Sequence, residues 1–245
     1  MQAPSTADLL TYWERGLSES LVHRAVNLLV LACPEMTIEQ AVGLSIGQRD
    51  QLLLILRERL FGSEMVSLTT CPVCGDCLEL KFHISDVCSV TDIKIPPPLS
   101  MDGYDVQYRL PTSQDLLEIT YSSAEVSENQ IRHQLLEYCV LSALYQGQAI
   151  PANKLPESVV EAIATAMSQA DPQADIQLAL VCPACGHQWQ ALFDVVTFLW
   201  SEIHVWAKRV LQEVHRLALT YGWREADILA MSPQRRHLYL EMIGE

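Results

Sequence analysis

The chain has no run of the roughly 18 consecutive apolar residues that a membrane-spanning helix needs. Blocks such as Leu52–Leu56 are the size of a buried helix face. Its N-terminus has no basic stretch followed by an apolar core, so it does not read as a signal peptide. Positive charge is also scarce, with 16 Lys and Arg against 30 Asp and Glu over 245 residues, a net charge of −14. The deficit is concentrated: residues 76–181 carry five Lys/Arg against fifteen Asp/Glu, which places −10 of the total there. Proteins that hold nucleic acid neutralise phosphates with a basic face, and no such face is written here. Catalytic signatures are missing too. There is no nucleophile beside a base, no glycine-rich phosphate loop and no metal set with an open position. Asp194 and Glu202 read as a strand-end residue and a helix residue, not as an acid–base pair. The composition therefore points to a non-enzymatic protein that neither inserts in a membrane nor binds nucleic acid.

Cysteine is what the chain does have: eight residues, which in a sequence without a secretion signal favours metal over disulfides. Four of them sit in two near-identical pentapeptides, CPVCG at Cys71–Gly75 and CPACG at Cys182–Gly186. Proline after the first cysteine presets φ for a turn, and glycine after the second tolerates a left-handed backbone. Each pentapeptide thus aims two sulfurs at one spot, and two pairs complete a tetrahedral all-thiolate set. Short β-like runs flank both: Met65–Leu68 and Leu78–Ile84 around the first, Ile176–Val181 and Trp189–Val195 around the second. A redox CxxC would open a helix in a βαβ unit, whereas here strands stand on both sides.

The reading is a zinc ribbon split by a long insertion, with Cys71, Cys74, Cys182 and Cys185 as ligands of a structural Zn2+. Four thiolates close the shell, which excludes a catalytic role for the metal. Cys77, which extends the first motif to CxxCxxC, and His187, which follows the second, are read as spare. Cys33, Cys88 and Cys139 are expected to be buried thiols. Closing so long a loop costs about 4 kcal/mol of chain entropy, against about 10–16 kcal/mol of apparent binding energy for structural zinc. The metal can therefore hold two remote hairpins together.

The expected fold class is α+β, mainly helical. Residues 1–62 form an N-terminal helical segment: Thr6–Arg15 stopped by Gly16, a second helix capped by Ser18, a turn at Thr37 with Gln40 placed for a capping box, and Ile46–Phe61 opened by Ser45 and ended by Gly62. Arg49, Arg57 and Arg59 on that last helix read as a solvated face. Residues 63–90 and 175–196 are the two knuckle hairpins. Between them, residues 91–174 read as an acidic, mostly helical insertion: a non-helical Pro96-Pro-Pro, a strand at Tyr104–Leu110, a helix near Gln114 capped by Thr112, a helix from about Ser127 to Tyr145, and another from Pro156 to Gln169. Residues 197–245 are C-terminal helices, a long one from Thr197 to Tyr221 with His204 and His215 as ordinary histidines, then Trp223–Met231. The last helix is capped by Ser232 with Pro233 at its first position. The segment from Tyr221 onward is compact and amphipathic, suited either to a groove on another protein or to its own long helix.

The order of these features, with Asp50-Gln-Leu-Leu-Leu, CPVCG, Tyr104-Asp-Val-Gln-Tyr-Arg-Leu-Pro-Thr-Ser, CPACG and Phe198-Leu-Trp-Ser-Glu-Ile, resembles the T4-type baseplate protein family of contractile phage tails and phage-tail-like injection systems. The ending from Tyr221 to Pro233, with Arg235-Arg and Tyr239-Leu-Glu, is similar to short helical segments encoded among such tail genes. The resemblance implies a structural or assembly component of a baseplate, either a resident subunit or a transient hub-assembly chaperone. Its partners would be other baseplate, spike or tail-tube proteins, with multiple copies in a symmetric assembly and a cytoplasmic origin before incorporation into the particle. It carries over no catalytic residues. The reading from a different class is a zinc-ribbon adaptor on nucleic acid or transcription machinery, which the charge distribution opposes.

Overall fold

Apolar residues recur every three or four positions along the first sixty residues, and each such stretch is a helix started by a hydroxyl cap. The computed structural model describes residues 1–88, 96–122 and 128–244, with main chain only at 120–122 and 128–129. Helix α1 (Thr6–Gly16) begins where Ser5 accepts from the Asp8 amide, and α2 (Leu21–Ala32) where Ser20 accepts from the His23 amide. Ser18, expected as the second cap, instead lies in the turn after α1, its amide donating to the Arg15 carbonyl at 3.4 Å. Both α3 (Ile38–Val42) and α4 (Ile46–Phe61) start with reciprocal capping boxes, Thr37 with Gln40 and Ser45 with Gln48. Gly62, at φ +90°, ends α4 in a conformation open to glycine.

Two antiparallel hairpins follow in sequence but far apart. The first is β1 (Glu64–Thr70) with β2 (Cys77–His83), leading to the single turn α5 (Ile84–Val87). Next comes a four-stranded antiparallel sheet in the order β3-β4-β5-β6, made of β3 (Leu99–Met101), β4 (Tyr104–Tyr108), β5 (Val140–Tyr145) and β6 (Gln148–Ala149). It is interleaved with α6 (Ser113–Ser122) and α7 (Glu128–Cys139), then followed by α8 (Glu157–Ala170). The second hairpin is β7 (Gln177–Val181) with β8 (Gln188–Leu192). The chain closes with α9 (Val195–Tyr221), α10 (Glu225–Leu229) and α11 (Pro233–Met242).

One expected element is corrected here. The helix anticipated to reach Tyr145 stops at Cys139, and Val140–Tyr145 joins β4 as a strand, with Tyr104 opposite Tyr145 and their rings 4.6 Å apart. The edge of Tyr104–Tyr108 that β3 leaves open needs partners for its backbone groups, and Val140–Tyr145 supplies them although its Leu and Ala residues continue the helical pattern. The insertion is therefore less helical than expected. The anticipated start of that helix, Ser127, lies outside the described residues, as does the boundary between residues 90 and 91.

The 27-residue α9, about 40 Å long at 1.5 Å per residue, is the element the first core is built on. Asp194 caps it by accepting from the Thr197 amide at 2.6 Å, and Gly222 in the left-handed region (φ +68°) ends it. Val196, Leu199, Ile203, Ala207, Val210, Val214 and Leu217 make a continuous buried stripe. Leu9 and Trp13 of α1, Leu29 of α2, Leu53 and Leu56 of α4, Met65 of β1, Ile228 of α10 and Leu240 of α11 share the same core. N-terminal and C-terminal helices are thus one body. The insertion has a second core, with Val106, Leu136, Ala143, Val159 and Ile163 at its centre.

The insertion is fastened to the N-terminal turn of α4. The Ile46 amide donates to the Pro111 carbonyl at 3.1 Å, Ser45 bridges Thr112, and the Gly47 amide donates to the buried Asp171 carboxylate at 2.9 Å. Gln173 adds a bond from its amide nitrogen to the Val87 carbonyl at 3.0 Å. Helix N-termini leave amides without intrahelical partners, and here the insertion supplies acceptors for two of them.

Candidate metal centre

The two CPxCG segments close their hairpins with the same bonds. The Cys71 amide donates to the Asp76 carbonyl (2.9 Å) and the Gly75 amide to the Cys71 carbonyl (3.0 Å). In the second, the Cys182 amide donates to the His187 carbonyl (2.8 Å) and the Gly186 amide to the Cys182 carbonyl (2.9 Å). Gly75 and Gly186 sit at φ +74° and +72°, the left-handed region that a side chain would strain. The strand registers run out to Thr70 opposite Cys77 and Val181 opposite Gln188, so each knuckle sits at the tip of a ladder.

These two tips meet. The four sulfurs of Cys71, Cys74, Cys182 and Cys185 all lie within 4.8 Å of one another. The contacts across the hairpins are Cys71 Sγ to Cys185 Sγ at 3.7 Å and Cys74 Sγ to Cys182 Sγ at 3.6 Å. A tetrahedron built on Zn–S bonds of 2.3 Å has an edge of about 3.8 Å, so the separations suit a single tetrahedral ion. All eight cysteines are free. Cys71 and Cys182 are 1 % exposed against Leu78, with Trp189 packed beside them, while Cys74 and Cys185 face solvent.

The electrostatics fit the same donor set. The Cys74 amide, foremost among its hydrogen-bond partners, lowers the Cys71 thiol to about 7. At Cys74 the amide at Asp76 also lowers the thiol, but desolvation and the three neighbouring sulfurs outweigh it and push it up to about 12. Cys185 is likewise raised: the His187 amide lowers it, but desolvation and contact with Cys182 and Cys71 prevail. Negative charge at Cys71 therefore opposes ionisation of Cys74 and Cys185, and a cation at this spot would favour their thiolate forms. With four donors the shell has no position for water or substrate.

Cys77 opens β2 opposite Thr70, and His187 stacks on Trp189 with ring centroids 5.8 Å apart; neither belongs to the sulfur cluster. Among the described residues, these four cysteines are the one group of three or more side chains arranged to hold a metal. Cys33 and Cys139 are buried as expected, but Cys88 is only half-buried. His204 accepts from the Trp13 indole at 3.0 Å through Nδ1, and His215 is exposed. Asp194 caps α9, and Glu202 holds Arg57, so the two carboxylates have separate structural tasks.

The arginines of α4 are a second correction. Arg59 is exposed, but Arg49 and Arg57 are buried, the latter 2 % exposed. Arg57 donates to both Glu202 carboxylate oxygens (2.8 and 2.6 Å) and to the Gly62 carbonyl (2.7 Å). Arg236 of α11, also 2 % exposed, holds Glu213 of α9 at 3.0 Å and the Met231 carbonyl at 2.8 Å. Two buried arginines thus bind α4 and α11 to carboxylates on α9. Each partner is more than a hundred or more than twenty positions away, and no local pattern marks the pairing.

Residues 7–200 match the family described as T4 bacteriophage base plate protein, a span that runs from α1 into α9 and takes in both knuckles and the whole insertion. No curated protein and no solved structure matches the chain. No helix among the described residues is long and apolar enough to cross a membrane.

Proposed function

The chain belongs to the T4 bacteriophage base plate protein family, and from that premise we propose that it is a non-enzymatic structural or assembly component in the baseplate of a contractile, phage-tail-like injection system. The observation that carries this reading is the family match across residues 7–200, which spans most of the chain. The sulfur geometry supports its physical form: a split zinc ribbon in which Cys71, Cys74, Cys182 and Cys185 hold Zn2+. When bound, the ion supplies four bonds that close the loop between the hairpins and hold all four sulfurs as thiolates. Cys71 and Cys182 anchor the site from the buried side, while Cys74 and Cys185 cover it from the solvent side.

On this reading the chain divides into an N-terminal helical segment (1–62), a first knuckle hairpin (63–90), an acidic insertion (91–174), a second hairpin (175–196) and C-terminal helices (197–245). Other baseplate, spike or tail-tube proteins dock on its helices. Assembly takes place in the cytoplasm, with several copies around a symmetric particle. The C-terminal helices offer one such surface. Arg236 and Leu240 of α11 face the core, whereas Leu238 and Met242 are 55 % and 73 % exposed.

Imaging of assembled particles tests the role directly. Density for this chain at the baseplate is expected, and purified particles lacking it would overturn the resident-subunit form. A chain bound to hub proteins before assembly and missing afterwards would make it a departing helper instead. For the docking surface, Leu238→Glu with Met242→Glu should leave folding intact, since surface changes usually stay within about 0.5 kcal/mol, while abolishing incorporation.

A further inference from the structure

The four sulfurs are arranged so that each close cross-hairpin pair joins one exposed and one buried residue: Cys74 (exposed) has its sulfur 3.6 Å from that of Cys182 (buried), and Cys185 (exposed) has its sulfur 3.7 Å from that of Cys71 (buried). An oxidant arriving from solvent meets Cys74 and Cys185 first. The nearest sulfur across the gap is in each case on the other hairpin. We propose that this centre is an oxidation site at which loss of the metal is replaced by two cross-hairpin disulfides, Cys74–Cys182 and Cys71–Cys185, so that the hairpins stay joined when the ion leaves. The proposal rests on the zinc reading above and concerns what that same site does under a two-electron oxidant such as hydrogen peroxide.

The chemistry balances as follows. Each exposed thiolate attacks one peroxide oxygen, breaking the O–O bond, forming a sulfenic acid and releasing hydroxide. The buried thiolate across the gap then attacks that sulfenic sulfur, forming the S–S bond and expelling a second hydroxide. Two peroxides are reduced, four thiolates are oxidised in two pairs, and Zn2+ leaves with no sulfur left to hold it. A movement from about 3.7 Å to a bond of about 2.05 Å is needed, which the exposed turn residues can supply. Cys77 lies outside the cluster at the start of β2 and takes no part.

Trypsin separates the two knuckles, because cleavage after Arg59, Lys81, Lys154 and Lys208 places Cys71, Cys74 and Cys77 in residues 60–81 and Cys182 and Cys185 in residues 155–208. The full-length, metal-loaded protein is titrated with peroxide while zinc release is followed with a chromogenic chelator, then alkylated, digested without reduction and mapped by mass spectrometry. The expected product is the two peptides covalently linked, with about one zinc released per chain. The same linkage should appear in Cys77→Ser, and the oxidised protein should keep a higher thermal midpoint than the reduced, chelated one. Separate peptides with an internal Cys71–Cys74 or Cys182–Cys185 bond, or any bond to Cys77, would overturn the pairing. A chain that is metal-free as isolated yet gives the linked peptides would sink the zinc reading and leave the pairing standing, so the two failures can be told apart.

Discussion

At the residue scale the sharpest constraint is Gly47. A Cβ built there would lie 1.7 Å from Asp171 Oδ1, and both atoms are enclosed, since Asp171 is 1 % exposed. Gly47→Ala must therefore push the carboxylate away and break its bond to the Gly47 amide. The expected loss is about 1–3 kcal/mol, read from the urea midpoint, and an unchanged midpoint would show that the insertion does not depend on this contact. Asp115 gives a pH signature. Burial raises its carboxyl, but two bonds from Arg109 (2.7 Å each) and bonds from the Thr112 amide and hydroxyl (2.8 Å each) outweigh it, leaving the pKa below 3.8. A depressed carboxyl stabilises the fold above its unfolded pKa and loses that contribution as pH falls through the folded value. Stability should thus drop on acidification below 3.8, and Asp115→Asn should flatten that part of the curve in denaturation series taken at descending pH. Asp50 runs the other way. Burial pushes its carboxyl up, so its contribution declines as pH rises from 3.8 through the folded value.

At the scale of elements, the starts of α3, α4 and α11 and the knuckle turns were legible because they are written in adjacent residues, whereas the cap of α2 is Ser20 rather than Ser18 and that of α9 is Asp194. Ser45 with Gln48 and Thr37 with Gln40 are local hydrogen-bond pairs, and CPxCG is a self-contained turn. The strand β5 was not legible: Val140–Tyr145 continues a helical pattern, and only the open edge of β4 converts it. Nor was the fate of Arg57, whose partner Glu202 lies on α9. The coupling of α4 to α9 through this pair can be measured. Arg57→Met strands a carboxylate and should cost about 3–5 kcal/mol, whereas Arg57→Met with Glu202→Leu, which removes both charges, should recover most of it. Equal losses in the single and double variants would mean that the helices are joined by packing alone.

For the whole molecule, the two hairpins are distant in sequence and their tips meet at the sulfur cluster, where the proposed ion would join them. Removing an ion from that point should loosen more than the knuckles, because β1 leads out of α4 and β8 leads into α9. A strong chelator under reducing conditions is expected to lower the thermal midpoint of the full chain, and Cys182→Ser should do the same without chelator. If scanning calorimetry finds the curve unmoved by either, the sulfurs carry no structural ion.

The sequence by itself determined the features that depend on near neighbours: a chain poor in positive charge, helices begun by hydroxyl caps, and two turns that each present a pair of sulfurs. Only the tertiary structure decided which buried charges answer one another, that Asp171 sits over Gly47, and that the residues after Cys139 form a strand. Those outcomes require partners tens of residues away, and a hydrogen bond or a desolvated ion pair has no signature in the segment that supplies one half of it.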